Sequence, residues 1–440
     1  MNAHRPSLQE ISSCVAGYDP KALTVDHARQ FIARLVAPVQ GTETLAIRAA
    51  LGRVLAADIV SSIDVPAADN SAMDGYALRG AELSPSAETV FDSVGTGLAG
   101  QRYEGIAAER QCVRIMTGAV MPTGLDTVVP QEFVRVEGAR VAVPAGVVKT
   151  GENRRRAGED LAVGDVALRA GRILRPADLG LLASLGRAEV VVHRRLRVAF
   201  FSTGDELRSL GEPLDPGCVY DSNRYTLWGM LRRLDVDLID MGVVRDDPVA
   251  LAAAFTSAAA NADAVITSGG VSVGEADHTK QVMASLGDVL FWRIAMRPGR
   301  PMAIGRIGGT GSASADPAGA GGAGAILFGL PGNPVAVMVT FYALVRDALL
   351  AMSGAREERL PLLRAASAAP IRKKPGRTEY QRAIVSARDD GSLQVALTGA
   401  QGSGILRSMS QANALAVLRH AQGDVAAGEP VDVWLFDGLV

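Results

Sequence analysis

The stretch Ala264-Val-Ile-Thr-Ser-Gly-Gly-Val-Ser-Val-Gly-Glu-Ala-Asp277 contains the most informative local pattern of the chain. Its first three residues are apolar and predict a buried parallel strand that ends where the glycines begin. Gly269, Gly270 and Gly274 allow backbone N–H groups to approach an anion without an intervening Cβ. Asp277 adds a carboxylate to the same loop. Backbone donors beside a carboxylate suit a phosphate group bridged by a divalent cation, although a glycine-rich turn with a surface aspartate has the same pattern.

The region around this stretch, from about residue 196 to residue 352, alternates between strand and helix patterns. This alternation predicts a doubly wound parallel sheet, in which ligands bind where the carboxyl ends of the strands meet the following loops. The predicted strands are Val198–Phe201, Val236–Ile239, Ala264–Ile266 and Ala325–Phe328. The predicted helices are Arg224–Leu234, Pro248–Ala260 and Pro334–Met352.

A polar segment follows each of these strands, and four such segments at one sheet edge predict a binding site. They are Ser202-Thr-Gly-Asp-Glu206, Arg245-Asp-Asp247, the glycine-rich loop and Gly329-Leu-Pro-Gly-Asn-Pro334. Glu206, Asp246 and Asp277 would then surround one crevice. Clustered carboxylates repel one another, which favours a hard cation such as Mg²⁺ between them. Asp247 is instead expected to cap the helix that begins at Pro248.

Cationic side chains surround a Pro-Gly turn further along the chain. Arg293, Arg297 and Arg300 occur in Phe291-Trp-Arg-Ile-Ala-Met-Arg-Pro-Gly-Arg-Pro301. Prolines on both sides restrict this backbone, so the turn can aim guanidinium groups at an oxyanion. A solvated surface turn is the alternative interpretation.

Two segments of the first half are also rich in polar side chains. Asp69-Asn-Ser-Ala-Met-Asp-Gly-Tyr76 offers two carboxylates, an amide and a hydroxyl, and Gly151-Glu-Asn-Arg-Arg-Arg-Ala-Gly-Glu-Asp160 joins three arginines to three acids. Each alone is more typical of a turn or a solvated charge run than of a site.

Composition restricts the class of protein. A chain of 440 residues is too long for one core, and its net charge of −2 provides no general attraction for nucleic acid. Neither a signal peptide nor an apolar run long enough for a membrane span is expected. The three cysteines and five histidines are scattered, which indicates a reducing cytoplasm and argues against a zinc site.

Other segments predict the remaining architecture. The chain is helical in pattern to about Ala57, including Val25–Leu35, and β-type from about residue 63 to residue 148. The last ~80 residues are again β-type and predict a small barrel or sandwich, with a hairpin turn at Asp389-Asp-Gly391. Gly308–Gly324 is almost entirely small residues and is expected to be a loop without chemistry.

The polar motifs together closely resemble the MoeA family, the molybdopterin molybdenumtransferases related to the E domain of gephyrin. Seven motifs occur in the family's order over nearly the whole chain. They are Asp69–Ala77, Met116–Ala119, Gly151–Arg155, Ser202–Glu206, Ser268–Gly274 with Asp277, Arg297–Gly299 and Leu330–Pro334.

This resemblance implies an activity and an architecture. The activity is the last step of molybdenum cofactor synthesis, in which adenylyl-molybdopterin and molybdate form the cofactor and AMP is released, with a divalent metal such as Mg²⁺. The resemblance further implies a cytoplasmic homodimer whose active site lies between the α/β domain of one subunit and the β-rich domain of the other. Transient contact with molybdopterin adenylyltransferase or molybdoenzymes would follow, and neither nucleic acid nor membrane is an expected partner.

The fold class implied is α/β plus β, with a central doubly wound parallel-sheet domain, a β-rich N-terminal lobe and a small C-terminal β-barrel. The expected domains are residues 1–60 with 151–193, then 61–150, 194–355 and 356–440.

The resemblance also assigns roles by motif. Catalytic roles are implied for Asp69, Thr117, Asp160, Glu206 and Asp277, and metal binding for Asp246 and Asp277. Substrate binding is implied for Asn70, Ser71, Asp74, Ser222, Ser268, Gly269, Gly270, Ser272, Gly274, Arg297, Pro298, Arg300, Pro331, Gly332, Asn333 and Arg377. Arg382 competes with Arg377 for the last position, and the motif alone does not separate them.

The chain departs from the family pattern at three places. Arg297 and Arg300 stand where many members have lysine, and a planar guanidinium binds an oxyanion differently from an ammonium group. Ala336 stands where many have serine, and the loop before Ile326 resembles an insertion. Two other functions share features with this chain. Adenylyl transfer to molybdopterin is disfavoured by Gly270-Val-Ser-Val-Gly274 and by the flanking domains, and a non-catalytic scaffold is disfavoured by the retained acids.

Overall fold

The computed structural model describes residues 7–271, 278–308, 324–356 and 360–436. Within these ranges the central sheet has six strands, and its first four neighbours run parallel. The last two strands are antiparallel to their neighbours. In spatial order the strands are Asp237–Val244, Arg197–Thr203, Ala264–Ser268, Ala325–Leu330, Pro301–Ile307 and Gly287–Arg293. The predicted parallel sheet is therefore confirmed, and it continues into an antiparallel edge that was not predicted.

Each strand of the sheet divides its side chains between two cores, because successive residues of a strand point to opposite faces. Val198 and Phe200 belong to one buried cluster, whereas Ala199 and Phe201 belong to the other. Helices cover both faces, as expected for a doubly wound domain. They are Ser222–Arg232, Pro248–Asn261, His278–Leu286 and the continuous helical segment 334–352.

The helix that begins at Pro248 follows the predicted capping pattern. The Asp247 side chain accepts hydrogen bonds from the backbone N–H groups of Val249 at 3.1 Å and Ala250 at 2.9 Å. Proline occupies the first helical turn, where its missing N–H costs nothing. The Asp247 carboxylate therefore serves as the cap of the helix, and this role distinguishes it from Asp246.

The segment 334–352 consists of Pro334–Thr340, a wider π turn over Phe341–Val345, and Arg346–Met352. Its length and apolar composition would suit a membrane span, but 78% of the apolar window is buried inside the protein. It therefore packs as a core helix of the central domain.

The N-terminal segment packs against the antiparallel edge of the sheet. It contains the helices Leu8–Ser13 and Val25–Leu35. Between them, the chain at Pro20–Leu23 is attached by backbone hydrogen bonds to Arg293 and Ala295, at 2.7–3.2 Å. We call residues 20–23 the N-terminal strap. The helical pattern predicted to about Ala57 was wrong beyond the second helix, because Thr42–Ala46 is a strand whose partner lies far along the chain.

Three short antiparallel pairs join chain segments before residue 72 to segments after residue 153. They are Thr42–Ala46 with Glu189–His193, Ile59–Val60 with Val166–Leu168, and Asn70–Ser71 with Arg154–Arg155. Helix Pro176–Ser184 and the 3₁₀ turn Ile47–Ala50 lie in the same region.

The intervening lobe is β-rich, as predicted. Its sheet has the order Thr127–Pro130, Gly75–Leu78, Gln111–Ile115, Thr89–Gly97, Arg140–Val143 and Arg135–Glu137. Two 3₁₀ turns, Gly80–Glu82 and Gln131–Phe133, interrupt it. The second turn lies between the strands Thr127–Pro130 and Arg135–Glu137.

The C-terminal region is a closed barrel, which resolves the choice between a barrel and a sandwich. Its strands, in order around the barrel, are Thr378–Ala387, Leu393–Leu397, Leu363–Ser367, Pro430–Leu435 and Ala414–Leu418, which pairs back to the first. The predicted hairpin turn at Asp389–Gly391 joins the first two strands. Helix Leu406–Gln411 packs against the barrel. Outside the barrel, Met296–Arg297 pairs with Thr378–Glu379 and joins it to the central domain.

The two outer strands of the central sheet are protected differently. Helix Leu8–Ser13 lies against Gly287–Arg293, and the Leu8 N–H donates to Asp288 Oδ2 at 3.3 Å. The opposite outer strand, Asp237–Val244, carries Asp240, which accepts hydrogen bonds from Arg224 Nε at 2.8 and 3.0 Å.

An ion pair fixes the start of the central strands. Arg194 donates through both terminal nitrogens to Asp263, each at 2.8 Å, and the Arg197 N–H donates to the same carboxylate at 2.8 Å. Burial raises the pKa of Asp263, but the bonds from Arg194 and Arg197 outweigh it, so the pKa lies below the ordinary value of 3.8.

We expect Asp263→Asn to lower the free energy of unfolding by about 2 kcal/mol, since it removes charge-assisted hydrogen bonds. Because the folded pKa is lowered, the stabilisation is complete above pH 3.8 and is lost as the pH falls through the folded pKa. Urea unfolding at several pH values measures this. Glu88→Gln, which breaks an exposed pair with Arg135, is the control and should cost less than about 1 kcal/mol. Equal losses of unfolding free energy in the two variants at neutral pH would contradict the stabilising role of the Asp263 ion pair.

Candidate functional site

A cavity of about 910 Å³ lies where the carboxyl ends of the central strands meet the barrel and the N-terminal strap. We call it the reaction cavity. It brings together twelve of the residues predicted from the sequence. They are Glu206, Asp246, Ser268, Gly269, Gly270, Arg297, Pro298, Arg300, Pro331, Gly332, Asn333 and Arg377. The convergence predicted for the loops at this sheet edge is thus observed.

Two carboxylates line one side of the reaction cavity. Glu206 follows the strand Arg197–Thr203, and Asp246 follows Asp237–Val244. Asp246 Oδ1 accepts from the Thr279 hydroxyl at 3.2 Å, and its backbone N–H donates to Asp205 Oδ1 at 3.3 Å. The two strands are parallel neighbours, so both acids follow them at the same edge of the sheet.

The glycine-rich loop enters the cavity through two residues that require positive φ. Gly269 has φ +93° and Gly270 has φ +65°, a region that side chains disfavour. A Cβ on Gly269 would lie 2.3 Å from the Thr203 carbonyl oxygen, and one on Gly270 would lie 2.4 Å from the Thr279 hydroxyl. The Gly269 N–H donates to the Leu330 carbonyl at 3.1 Å, so this donor is already used within the protein.

Three of the site residues predicted from the sequence for this loop lie outside the described residues. They are Ser272, Gly274 and Asp277.

Hydrogen-bonded side chains form the floor of the cavity. Asn223 Nδ2 donates to the Gly332 carbonyl at 2.7 Å and to Ser268 Oγ at 3.4 Å. Ser268 Oγ lies 3.0 Å from Ser202 Oγ on the neighbouring strand. Asn223 Oδ1 is buried and has no hydrogen-bond partner in the part of the chain described, which leaves an acceptor available to a ligand. The predicted residue Ser222 does not line the cavity, and its neighbour Asn223 does.

The cationic turn lies at the same edge because the last two strands alternate in direction. Gly287–Arg293 ends there and Pro301–Ile307 begins there, so residues 294–300 bridge them at the cavity. The Ile294 N–H donates to the Arg300 carbonyl at 2.7 Å and closes the turn. Arg293, Arg297 and Arg300 therefore face the two acids from the opposite end of the sheet.

The barrel contributes Arg377, Gln401 and Ser403 to the reaction cavity. Arg377 Nε donates to Glu379 at 2.8 Å, so its charge is already partly compensated. Arg382, the alternative left open by the motif, is 1% exposed and does not line this cavity. The geometry therefore favours Arg377 over Arg382 as the arginine that the barrel contributes to the reaction cavity. Arg382 is buried and lies outside that cavity's lining.

The N-terminal strap adds Lys21 and Ala22 to the lining. Sequence reasoning missed this lysine, because its position depends on backbone pairing between the strap and Arg293. No local pattern around Lys21 distinguishes it from an ordinary surface lysine.

The remaining predicted residues lie in the β-rich half of the chain. Within the described part of the chain they do not line the reaction cavity. They are Asp69, Asn70, Ser71, Asp74, Thr117 and Asp160. They are nevertheless organised. Asp74 Oδ1 accepts from the backbone N–H and hydroxyl of Thr117 at 2.7 and 2.8 Å, and these bonds lower the pKa of Asp74.

Asp69 and Asn70 lie beside a partly buried arginine, Arg154, in this same group. Asp69 Oδ1 accepts from the Ala157 N–H at 2.8 Å, and Asp69 Oδ2 lies 3.6 Å from Arg154. Asn70 Oδ1 and Arg154 Nε are buried without a hydrogen-bond partner in the described ranges. Asp160 is exposed in the adjacent turn, where its N–H donates to Val65.

The acids of the reaction cavity fit a magnesium ion that also binds substrate phosphate. Among the described residues, no group of three or more His, Cys, Asp or Glu side chains could hold a metal. Mg²⁺ is commonly held by one or two carboxylates together with substrate phosphates, however. Glu206 and Asp246 beside the glycine-rich loop satisfy that requirement.

A cavity at the carboxyl edge of an α/β sheet, lined by acids, glycines and arginines and bordered by a closed barrel, is typical of a protein whose substrates carry phosphate or another oxyanion. Family models match consecutive parts of the chain: MoeA N-terminal region (domain I and II) at residues 23–186, probable molybdopterin binding domain at 199–351, and MoeA C-terminal region (domain IV) at 364–436. The chain belongs to the MoeA family, as its motifs predicted.

Individual relatives agree along the full length. A molybdopterin molybdenumtransferase of Haemophilus influenzae is 40% identical over 420 residues, covering 95% of this chain and 100% of the relative. One from Nostoc sp. is 38% identical over 401 residues, covering 89% and 88%. The crystal structure of a molybdopterin biosynthesis moeA protein from Pyrococcus horikoshii superposes with a TM-score of 0.78 at 27% identity, covering 94% of this chain and 100% of that one. The predicted fold class is confirmed.

We expect Gly269→Ala to lower the free energy of unfolding by about 2–4 kcal/mol, from an unfavourable positive φ and from the contact with Thr203. Gly211→Ala is the matched control, because Gly211 has φ +91° and nothing within 4 Å of the added Cβ. The control should cost only about 1 kcal/mol. Urea unfolding followed by tryptophan fluorescence measures both, and equal losses would show that the close approach to Thr203 does not restrict the loop.

Proposed function

We propose that the protein is a molybdopterin molybdenumtransferase, which converts adenylyl-molybdopterin and molybdate to molybdenum cofactor and AMP. The observation that carries this proposal is the reaction cavity, where two acids, a glycine-rich loop and a cationic turn occur together. The names of the full-length relatives support the same reaction.

The two ends of the cavity suit the two substrates. The acidic end, with the glycine-rich loop, would receive the phosphoanhydride of adenylyl-molybdopterin. The cationic end, with Arg297 and Arg300, would receive molybdate, since guanidinium groups bind tetrahedral oxyanions through paired N–H donors. The pterin sulfurs would then lie between the ends, next to the bound oxyanion.

Asp246 and, by its motif, Asp277 would hold a magnesium ion together with Glu206, and the ion would supply neutralisation of phosphate charge as a Lewis acid and template. Glu206 lines the same end of the cavity and would help to hold that cation beside the phosphoanhydride. Ser268 and Asn223 offer polar atoms to the substrate from the floor. No Ser, Cys or Lys beside a general base lines the cavity in the described residues, so positioning and electrostatics would carry the catalysis.

Ala336 and the two arginines affect the molybdate end. Ala336 lines the cavity and offers no hydroxyl there. Arg297 and Arg300 supply more donors than lysines would, which compensates for a missing hydroxyl contact.

The β-rich residues would serve the site of a second subunit. Asp69, Asp74 and Thr117 are organised by hydrogen bonds yet lie away from the reaction cavity of their own chain. A homodimer that places this group over the partner's reaction cavity explains both facts. We propose such a dimer, acting in the cytoplasm, with transient contact to molybdopterin adenylyltransferase or to molybdoenzymes.

The four-domain division remains part of this proposal: residues 1–60 with 151–193, 61–150, 194–355 and 356–440. In it, the second domain of one subunit and the third of the other would share each active site.

Asp246→Asn is expected to slow AMP release about a hundredfold, the effect of removing one group that stabilises charge in the transition state. Asp247→Asn is the matched control, since it makes the same change at the next residue and asparagine still caps the helix. Chromatography of AMP formed from adenylyl-molybdopterin, molybdate and Mg²⁺ measures the rate. Equal activity of the two variants would contradict a role for Asp246 in the reaction.

Subunit sharing predicts complementation between inactive variants. Asp69→Ala and Asp246→Asn chains carrying different affinity tags are co-expressed, and the doubly tagged dimer is isolated. One of its two sites then contains neither substitution, so about half of the wild-type AMP release should return. An inactive heterodimer, or failure to recover a doubly tagged species, would contradict a shared site.

A further inference from the structure

Backbone hydrogen bonds attach the C-terminal barrel to the central domain beside the reaction cavity. The Thr378 N–H donates to the Ala295 carbonyl at 2.8 Å, and the Val335 N–H donates to the Ser403 carbonyl at 3.1 Å. Arg377 and Ser403, next to these bonds, belong to the lining of the cavity. The position of the barrel therefore determines how closely its side chains approach the cationic turn.

Arg29 joins the barrel and the central domain from a third part of the chain, the helix Val25–Leu35. Its Nε donates to the Ala343 carbonyl at 2.9 Å. Its guanidinium carbon lies 5.3 Å from the centre of the Trp434 ring, within the range of a cation–π contact. Ala343 belongs to the central domain, and Trp434 belongs to the barrel strand Pro430–Leu435. One side chain of the N-terminal segment thus contacts both bodies at once.

The Trp434 ring connects Arg29 to the barrel strand that begins at the cavity. Trp434 stacks on Tyr380, with ring centroids 5.5 Å apart and an angle of 20° between the ring planes. Tyr380 is 2% exposed and lies in the strand Thr378–Ala387, which directly follows Arg377. Burial raises the pKa of Tyr380 to about 12, and the positive charge of Arg29 opposes this rise. A displacement of Arg29 would therefore be transmitted to Arg377 through two packed aromatic rings.

The environment of Arg29 differs from that of an ordinary surface arginine. Arg29 is partly buried and forms no ion pair within the described part of the chain. Its acceptor lies in a π turn, a rare helical geometry that is frequent at functional sites. Arg34, on the same helix, is exposed and donates to the Gln30 carbonyl one turn earlier. Arg34 therefore supports only its own helix, whereas Arg29 acts on the arrangement of the domains.

We propose that Arg29 is a positioning residue for the cationic end of the reaction cavity. By holding Trp434 to the π turn, it fixes the barrel where Arg377 and Ser403 complete the wall of that end. This inference rests on the proposed function, because it uses the assignment of the cationic end to molybdate. Arg29 does not line the cavity in the described part of the chain, so it acts through the barrel and not by touching a substrate.

Hydrogen–deuterium exchange of the full chain measures the docking of the barrel without any substrate. Arg29→Gln removes the charge and shortens the side chain, so the amides of Thr378 and Val335, which bond across the junction, should exchange about tenfold faster. Amides that pair residues 383–387 with residues 393–397 report on the barrel itself and should keep their wild-type rates. Arg34→Gln makes the same change on the same helix and should leave all these rates unchanged.

Steady-state AMP release separates positioning from a general loss of structure. In Arg29→Gln the KM for molybdate should rise about tenfold, the effect of weakening one charge-assisted hydrogen bond. The KM for adenylyl-molybdopterin, and kcat at saturating molybdate, should stay within about twofold of the wild-type values, because the acidic end of the cavity does not depend on the barrel. A merely structural defect would instead reduce the amount of active enzyme, and thus kcat, and leave both KM values unchanged.

Unchanged exchange at the junction in Arg29→Gln overturns the inference, and so does faster exchange with an unchanged KM for molybdate. If Arg29→Gln does not fold, Trp434→Leu replaces it and the same outcomes apply. Trp434 Nε1 has no hydrogen-bond partner among the described residues, so this change removes the ring face without breaking a hydrogen bond. Absence of AMP release by the wild-type protein would overturn the proposed function, and the exchange rates alone would then decide whether Arg29 positions the barrel.

Discussion

The direction of the central strands is the constraint on which the rest of the structure depends. Four parallel strands deliver their following loops to one edge, because the backbone must leave each strand at its carboxyl end. The two antiparallel strands beyond them place their connecting turn, residues 294–300, at that same edge. Acids and cations that are distant in the chain therefore meet in one cavity.

The order of the strands also separates the charges within the cavity. Glu206 and Asp246 follow the first two strands at one side, and the arginine turn joins the last two strands at the other. Opposite charges placed this way do not neutralise each other by direct contact. Each end therefore keeps a field of its own sign, one suited to a cation with phosphate and the other to an oxyanion.

Much of the fold could be predicted because it depends on sequence patterns within short stretches of the chain. The alternation of apolar residues, the Asp247 cap and the polar segments after each strand are all properties of short stretches. The motif order also identified the family and twelve residues of the reaction cavity.

What could not be predicted depends on contacts between remote segments. Lys21 reaches the cavity through pairing of the strap with Arg293, and Thr42–Ala46 is a strand because its partner lies at residues 189–193. The choice between Arg377 and Arg382 required the barrel geometry, since both arginines occur in one short motif. The Gly269 N–H, expected to bind an anion, is instead used by the Leu330 carbonyl, which no local pattern indicates.

The protection of the outer strands has a consequence for self-association. An open sheet with bare outer strands can template the addition of strands from other molecules, a route to fibrils and aggregates. Here one border is covered by the helix Leu8–Ser13, and the other carries the ion-paired Asp240. The barrel has no border at all, because its fifth strand pairs with its first. The central domain can thus keep an open sheet beside the reaction cavity and still resist the addition of strands at its borders.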